Sequence, residues 1–262
     1  MKSLPRTTVP AIAAAFPGFA LLLVPLVLLI VRSFLVRSPL TGESEWTLHW
    51  YLKLWENGAL TSALLSSLWI GFCSALISTA LGTGAALSLA RSGDFPGKKL
   101  LDSVLQIPLV LPEIVMGIAL LIWFVFLSVT LGSLSVILAH VTFSVSYVVL
   151  TVRARLEGFD SSLEDAARDL GAGSWQVFRR VTFPLILPAV ISGALMAFTL
   201  SFDDFLITFF VSGVGVDTLP LRVYSMIRFG VSPELNALST LLLGVTVLLA
   251  GLGFKKSGSA AG

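Results

Sequence analysis

Three carboxylates sit where carboxylates are costly. Glu113 lies in an apolar run from Ser103 to Val129, and Asp203 and Asp204 lie in another from Val181 to Val211. A charge at mid-membrane costs at least about 2.5 kcal/mol on insertion scales. Acids kept there accept a cation, pass protons, or hold a helix. At 1.5 Å per residue, Glu113 is roughly 15 Å into its run, and the aspartates are roughly 22 Å beyond Pro188. Each acid has a rival structural reading. Pro112-Glu113 also suits the start of a half-helix after a proline break, with the carboxylate against the positive helix end. Asp203 and Asp204, as neighbours on one helix, point about 100° apart. One of them then lines a path, while the other bonds backbone or holds a neighbouring helix; the sequence does not say which. His140, a lone histidine in an apolar run, reads as a packed side chain with a local hydrogen bond, against substrate contact as the alternative. Cys73 reads as core, and one cysteine excludes an internal disulfide.

A second set of residues lies in the long charged stretch, Arg153 to Arg180. Ser161 and Glu164 have capping-box spacing, which predicts a helix start. Leu163, Ala166, Ala167 and Leu170 fall on one helical face. Gly171 is placed to end the helix in a left-handed turn. A second short helix is expected over about Ser174 to Arg180. The apolar face either packs on the chain's own membrane helices or docks on a partner.

The elements that position these residues are membrane helices. Of 262 residues, 56% are apolar and 12% charged, with mean hydropathy +0.94. A soluble domain carries roughly 25% charged residues. The shortfall excludes an ordinary soluble enzyme, and the net charge of +2 implies no polyanionic partner such as nucleic acid. Six long runs predict an all-α polytopic membrane protein with six transmembrane helices, read as one domain over 1–262. The first run, Val9 to Val31, exceeds a signal-peptide core and reads as an uncleaved helix. The second, Ala59 to Ala90, carries Ser74, Ser78 and Gly82 at every fourth position, a spacing that lets another helix approach. The third is broken by Pro108 and Pro112. The fourth, Leu134 to Val152, carries His140, and the fifth begins near Pro184 and Pro188. The sixth has Ser232 as a cap, Pro233 at its first position and Glu234 behind it. Residues 32–58 read as a loop plus a surface helix, with Trp46, Trp50 and Trp55 as interface anchors. Pro220 to Phe229 reads as a short helix closed by Gly230.

With both termini inside, twelve of the 17 lysines and arginines fall on inner segments and five on outer ones. That bias places both ends in the cytoplasm and makes residues 153–183 a cytoplasmic loop. Arg222, Arg228 and Glu234 then face outside, either toward an external binding protein or toward solvent.

Asp165-Ala166-Ala167-Arg168-Asp169-Leu170-Gly171, nine residues, then Val181-Thr182-Phe183-Pro184 resembles the EAA motif of permease subunits of bacterial ABC importers. Asp165, Val181 and Phe183 depart from that pattern conservatively. Leu200-Ser201-Phe202-Asp203-Asp204, Phe210-Val211-Ser212-Gly213, Leu219-Pro220-Leu221, Tyr224-Ser225-Met226 and Gly230 to Leu238 resemble the spermidine/putrescine importer permeases. The likeness runs from about Trp50 to Gly244 and is nearest the second permease of that system, the PotC type.

The resemblance implies a type I ABC importer permease fold in a bacterial inner membrane. It implies that Glu164, Asp165, Ala166, Ala167 and Gly171 form the coupling helix that seats on an ATPase subunit. The implied partners are a homologous permease subunit, two ATPase subunits and a periplasmic polyamine-binding protein, within membrane lipid. It implies no cofactor or catalysis in this chain, the ATP being bound by the ATPase subunits. Gly93 to Lys99 is one residue short of a P-loop and lacks its Ser or Thr. A polyamine path needs carboxylates, with aromatic faces adding cation–π attraction, and Glu113, Asp203 and Asp204 are its candidates. The rival cargoes are another small cation, an aminophosphonate or ferric iron. A proton-driven secondary transporter and an inert membrane anchor are the rivals of other classes.

Overall fold

The computed structural model describes residues 8–37, 44–228, 230 and 233–259. The chain divides into two compact units, Met1–Thr61 with Val223–Gly262, and Ser62–Arg222.

The unit built from the chain ends begins with helix α1, Thr8–Ser33. Strands β1, Leu35–Arg37, and β2, Ser44–Trp46, then pair antiparallel, with Leu35 opposite Trp46. This ladder is the departure from the all-helical expectation. It needs little more than two short extended stretches, and helix α2, His49–Glu56, holds it. The Trp50 indole N–H donates to the Leu35 carbonyl at 2.8 Å, and the Tyr51 and Ser33 hydroxyls meet at 2.7 Å. Trp50 therefore braces the hairpin, whereas Trp46 and Trp55 are exposed as interface anchors would be.

The Ser62–Arg222 unit holds most of α3, Gly58–Arg91; α4, Lys98–Val110; α5, Glu113–Phe126; and α6, Ser133–Glu157. It continues through α7, Ser162–Asp169; α8, Ser174–Val177; α9, Phe183–Asp203; and α10, Leu206–Val211. Helix α11, Leu219–Arg228, follows, and Gly230 closes it in a left-handed conformation, as the sequence predicts. Helix α12, Pro233–Ser259, returns to the first unit and packs on α1 and α2. Its Glu234 pairs with Lys53 at 2.9 Å and accepts from the Asn57 amide at 3.4 Å. The expected cap Ser232 lies outside the described residues.

Helix α6 is the spine of the second unit. Val136, Ala139, Val148 and Val152 are fully buried along it. Val148 sits against two glycines. A Cβ at Gly82 of α3 would lie 2.7 Å from the Val148 Cβ, and one at Gly193 of α9 would lie 3.4 Å from its Cγ1. The small-residue spacing on α3 is thus a close approach to α6. Cys73 packs against the cluster of Ile70, Phe143 and Ile207.

Among the described residues, three helical stretches suffice by length and composition to cross a membrane: Gly58–Arg91, Ser133–Glu157 and Ser174–Asp203. The pair α4 and α5 makes a fourth if counted together, and Ala20–Ser33 and Pro233–Leu248 are shorter apolar stretches.

Two runs differ from their expected form. The third turns by 118° between α4 and α5. Leu111, preceding Pro112, takes an extended ψ of 136°, the region a following proline favours. The 15 Å depth assigned to Glu113 assumed one straight axis and does not survive the turn. The fifth begins earlier than expected. The helix foreseen over Ser174 to Arg180 is the first part of it, joined through a π turn at Phe178–Thr182. Pro184 cannot donate to a regular helical bond, and the π turn ends at Thr182, just before it.

Candidate functional site

Helix α9 stops inside the second unit. Asp203 is its last residue, and Asp204 takes an extended ψ of 124°. The two aspartates are therefore not 100° apart on one helix; a chain break separates their directions. Asp204 caps α10, its carboxylate accepting from the Thr208 N–H at 2.7 Å and the Ile207 N–H at 3.3 Å. The Thr208 hydroxyl adds a bond at 2.7 Å, and His140 Nε2 of α6 lies at 3.2 Å. His140 is buried, with Nδ1 at 2.6 Å from the Ser201 hydroxyl. It is a packed, hydrogen-bonded side chain, as its lone place in an apolar run suggests.

Asp203 and Glu113 differ from Asp204. Both are exposed, and neither side chain has an ion-pair or hydrogen-bond partner among the described residues. Glu113 is the first residue of α5, so the half-helix reading is correct in geometry. The same position also faces open space. A cavity of about 510 Å³ is lined by Glu113, Asp203 and Asp204 together with Phe143, Tyr147 and Phe205. Its lining contains no lysine or arginine. Two bends in the backbone thus deliver carboxylates from distant runs to one hollow. A lysine-free, aromatic-sided hollow of this kind can receive an organic cation through charge and cation–π attraction.

Gly117, one turn beyond Glu113, makes the approach of the two bent segments possible. A Cβ there would lie 2.8 Å from the Phe210 ring and 3.3 Å from the Ile207 Cα. Ser135, at the start of α6, donates to the Val211 carbonyl at 2.7 Å and fixes the far end of α10.

The charged loop is folded. Helix α7 starts without the capping box: Ser161 makes no side-chain cap bond, and Asp160 accepts from the Ser162 N–H at 2.9 Å instead. The Ser162 hydroxyl and N–H hold the Asp160 carboxyl below its ordinary value. Glu164 is drawn elsewhere. It is buried, bonded to Arg91 at the end of α3 and to the Thr182 hydroxyl at the root of α9. Burial pushes its carboxyl up, but the bonds from Arg91 and Thr182 and the charges of Arg91 and Arg168 outweigh that and hold it low. Asp165, by contrast, is exposed and pairs with Arg168 at 2.7 Å. Gly171 has φ +85°, its N–H reaching the Arg168 carbonyl and that of Ala172 the Ala167 carbonyl. Those two bonds are the left-handed helix end its position predicts. Leu163, Ala166 and Leu170 are exposed, Leu170 at 90%. The apolar face is not covered by the second unit's own helices.

Comparison with known proteins adds the following. Residues 78–255 match the family described as binding-protein-dependent transport system inner membrane component. The chain belongs to this family. This permease is 43% identical to the putrescine transport system permease protein PotI of Escherichia coli K12, over 93% of this chain and 89% of PotI. It is 39% identical to the spermidine/putrescine transport system permease protein PotC of Haemophilus influenzae, over 90% of this chain and 92% of PotC. In fold it resembles a solved bacterial ABC transporter involved in import of the acidic polysaccharide alginate. That likeness has a TM-score of 0.74 at 14% identity, over 97% of this chain and 99% of the other. The permease therefore has the importer-permease fold and is an inner-membrane protein.

Sequence reasoning named the permease's three acids and the charged loop. It passed over Gly117, Phe143, Tyr147 and Phe205. A glycine four residues after a buried-run acid was a readable sign of close helix approach. The aromatics had no such sign among 18 phenylalanines and 3 tyrosines.

Proposed function

We propose that this permease forms half of the translocation path of an ATP-driven importer of polyamines, putrescine and spermidine. The observation that carries the reading is the meeting of Glu113 and Asp203, unpaired, in one aromatic-sided hollow that lacks any basic lining residue. A flexible dication or trication offers ammonium groups to such carboxylates and methylene groups to the rings. The named relatives, PotI and PotC, support the same cargo.

Transport is then alternating access without chemistry in this chain. An external binding protein delivers the amine, and a homologous permease supplies the other half of the path. Two ATPase subunits bind ATP on the cytoplasmic side, where both termini lie. The open apolar face of α7 seats on one of them. Its displacement reaches the membrane through Glu164, which grips both Arg91 of α3 and Thr182. The helical stretch Ser174–Asp203 begins beside that loop and ends at the cavity acid. At 1.5 Å per residue it is a rod about 45 Å long. Movement at its root displaces Asp203 relative to Glu113 and so opens or closes the acceptor pair.

The test is uptake of labelled putrescine in cells lacking their own polyamine importers, given this chain with its companion subunits. Excess unlabelled spermidine should suppress uptake, whereas excess ferric iron, an aminophosphonate or another small cation should not. No uptake of putrescine or spermidine, with labelled ferric iron, an aminophosphonate or another small cation carried instead, would keep the importer and replace the cargo.

A further inference from the structure

Of the three acids on the cavity, Asp204 is already engaged. Its Oδ2 receives the Thr208 N–H at 2.7 Å and the Thr208 hydroxyl at 2.7 Å, with His140 Nε2 at 3.2 Å. Its side chain is only 5% exposed. The proton positions follow from the partners. Thr208 gives its hydroxyl hydrogen to Asp204, so its oxygen is left to accept. His140 Nε2, 2.9 Å from that oxygen, must then be the donor, shared between Thr208 and Asp204. On the other side of the ring, Nδ1 shares a hydrogen bond with the Ser201 hydroxyl at 2.6 Å. Every polar atom of the imidazole is satisfied, and Ser201, His140 and Thr208 are all buried. The chain of bonds joins α6, the end of α9 and the start of α10 across the break at Asp204.

We propose that His140 is a positioning residue of the cation path. With Thr208 it withholds Asp204 from the cargo and fixes the break, so that Asp203 is the aspartate presented beside Glu113. The proposal rests on the polyamine reading for its cargo, though not for its geometry. Asparagine at 140 can imitate Nδ1 toward Ser201 but removes the imidazole donor from Asp204, leaving only the bonds from Ile207 and Thr208. Glutamine can place an N–H where Nε2 stands.

The experiment uses the full complex, purified and reconstituted in vesicles. Uptake of labelled putrescine is measured for wild type, H140N and H140Q. In parallel, a carbodiimide with a small amine modifies accessible carboxyls, and mass spectrometry reads Glu113, Asp203 and Asp204. In wild type, Glu113 and Asp203 should be modified and Asp204 spared. H140N should modify Asp204 and lower uptake by about tenfold, the weight of one hydrogen bond to a charged group. H140Q should restore both toward wild type. If H140N does not assemble with its companions, T208V, of the same shape, is read against the same two expectations. H140Q failing as H140N does, H140N transporting at the wild-type rate, or Asp204 staying unmodified in H140N would each overturn the proposal. A wrong cargo shows differently: no uptake even in wild type, with the modification pattern intact.

Discussion

Glu113 and Asp203 are both exposed yet come from opposite sides of two backbone breaks. If both hold ammonium groups, E113Q and D203N should each lower uptake by about tenfold or more, since a hydrogen bond to a charged group is worth roughly 1.5–3 kcal/mol. Uptake kinetics in whole cells check this, and full uptake in both variants would remove the acceptor assignment. Glu164 gives a pH prediction. Its carboxyl titrates below the ordinary 4.5 in the folded chain. A depressed value means the anchor is at full strength above 4.5 and is lost as pH falls through the lowered value. Protection of the amides over 162–171, taken relative to their intrinsic exchange rate at each pH, should be unchanged from neutral pH down to about 5 and fall in stronger acid. Protection that already falls between neutral pH and about 5 would contradict the anchor. At this scale the acids were legible because charge in an apolar run is conspicuous. Which aspartate faces the path was not, because the answer depends on His140, 64 positions from Asp204, and on Thr208 across the helix break.

Helix ends and close approaches carry the next set of expectations. A Cβ on Gly171 would meet nothing within 4 Å. G171A should therefore cost only the left-handed backbone penalty, about 1–2 kcal/mol. That cost falls on the loop alone. The permease should still assemble in the membrane, while uptake per ATP hydrolysed falls; the two rates measured together separate these effects. G117A differs in kind, because the added methyl presses on the Phe210 ring and the Ile207 backbone. Overpacking of this sort costs about 1–3 kcal/mol, and thermal melting of the purified complex should show it. G117A should also widen the gap between α5 and α10 and lower uptake beyond the stability loss. Most helices were legible as apolar runs between charged turns, and Gly171, Gly230 and Pro233 sit at ends as their chemistry predicts. The 118° turn, the π turn and the stop at Asp203 were not legible as such. Prolines announce that a helix is disturbed, but the direction of the disturbance is set by what packs against it. The capping box failed for a related reason: Glu164 satisfies Arg91 and Thr182 in preference to the local backbone.

As a whole molecule the chain is legible as a machine part more than as a cargo binder. Its low charge, its apolar runs and one twenty-residue motif sufficed for the importer family, and the likeness over residues 200–238 pointed to the cargo, while the meeting of the acids in one cavity needed the structure. The central claim is that ATP, spent on companion subunits, drives a polyamine past Glu113 and Asp203. The most direct measurement is labelled putrescine uptake into vesicles holding the whole complex, with the binding protein outside. ATP is supplied or withheld on the ATPase side, and the proton gradient is collapsed by an ionophore. The account predicts uptake that requires ATP, persists without the proton gradient and is lost in D203N. Uptake that proceeds without ATP and vanishes with the proton gradient would contradict it, and would make the three acids a proton relay.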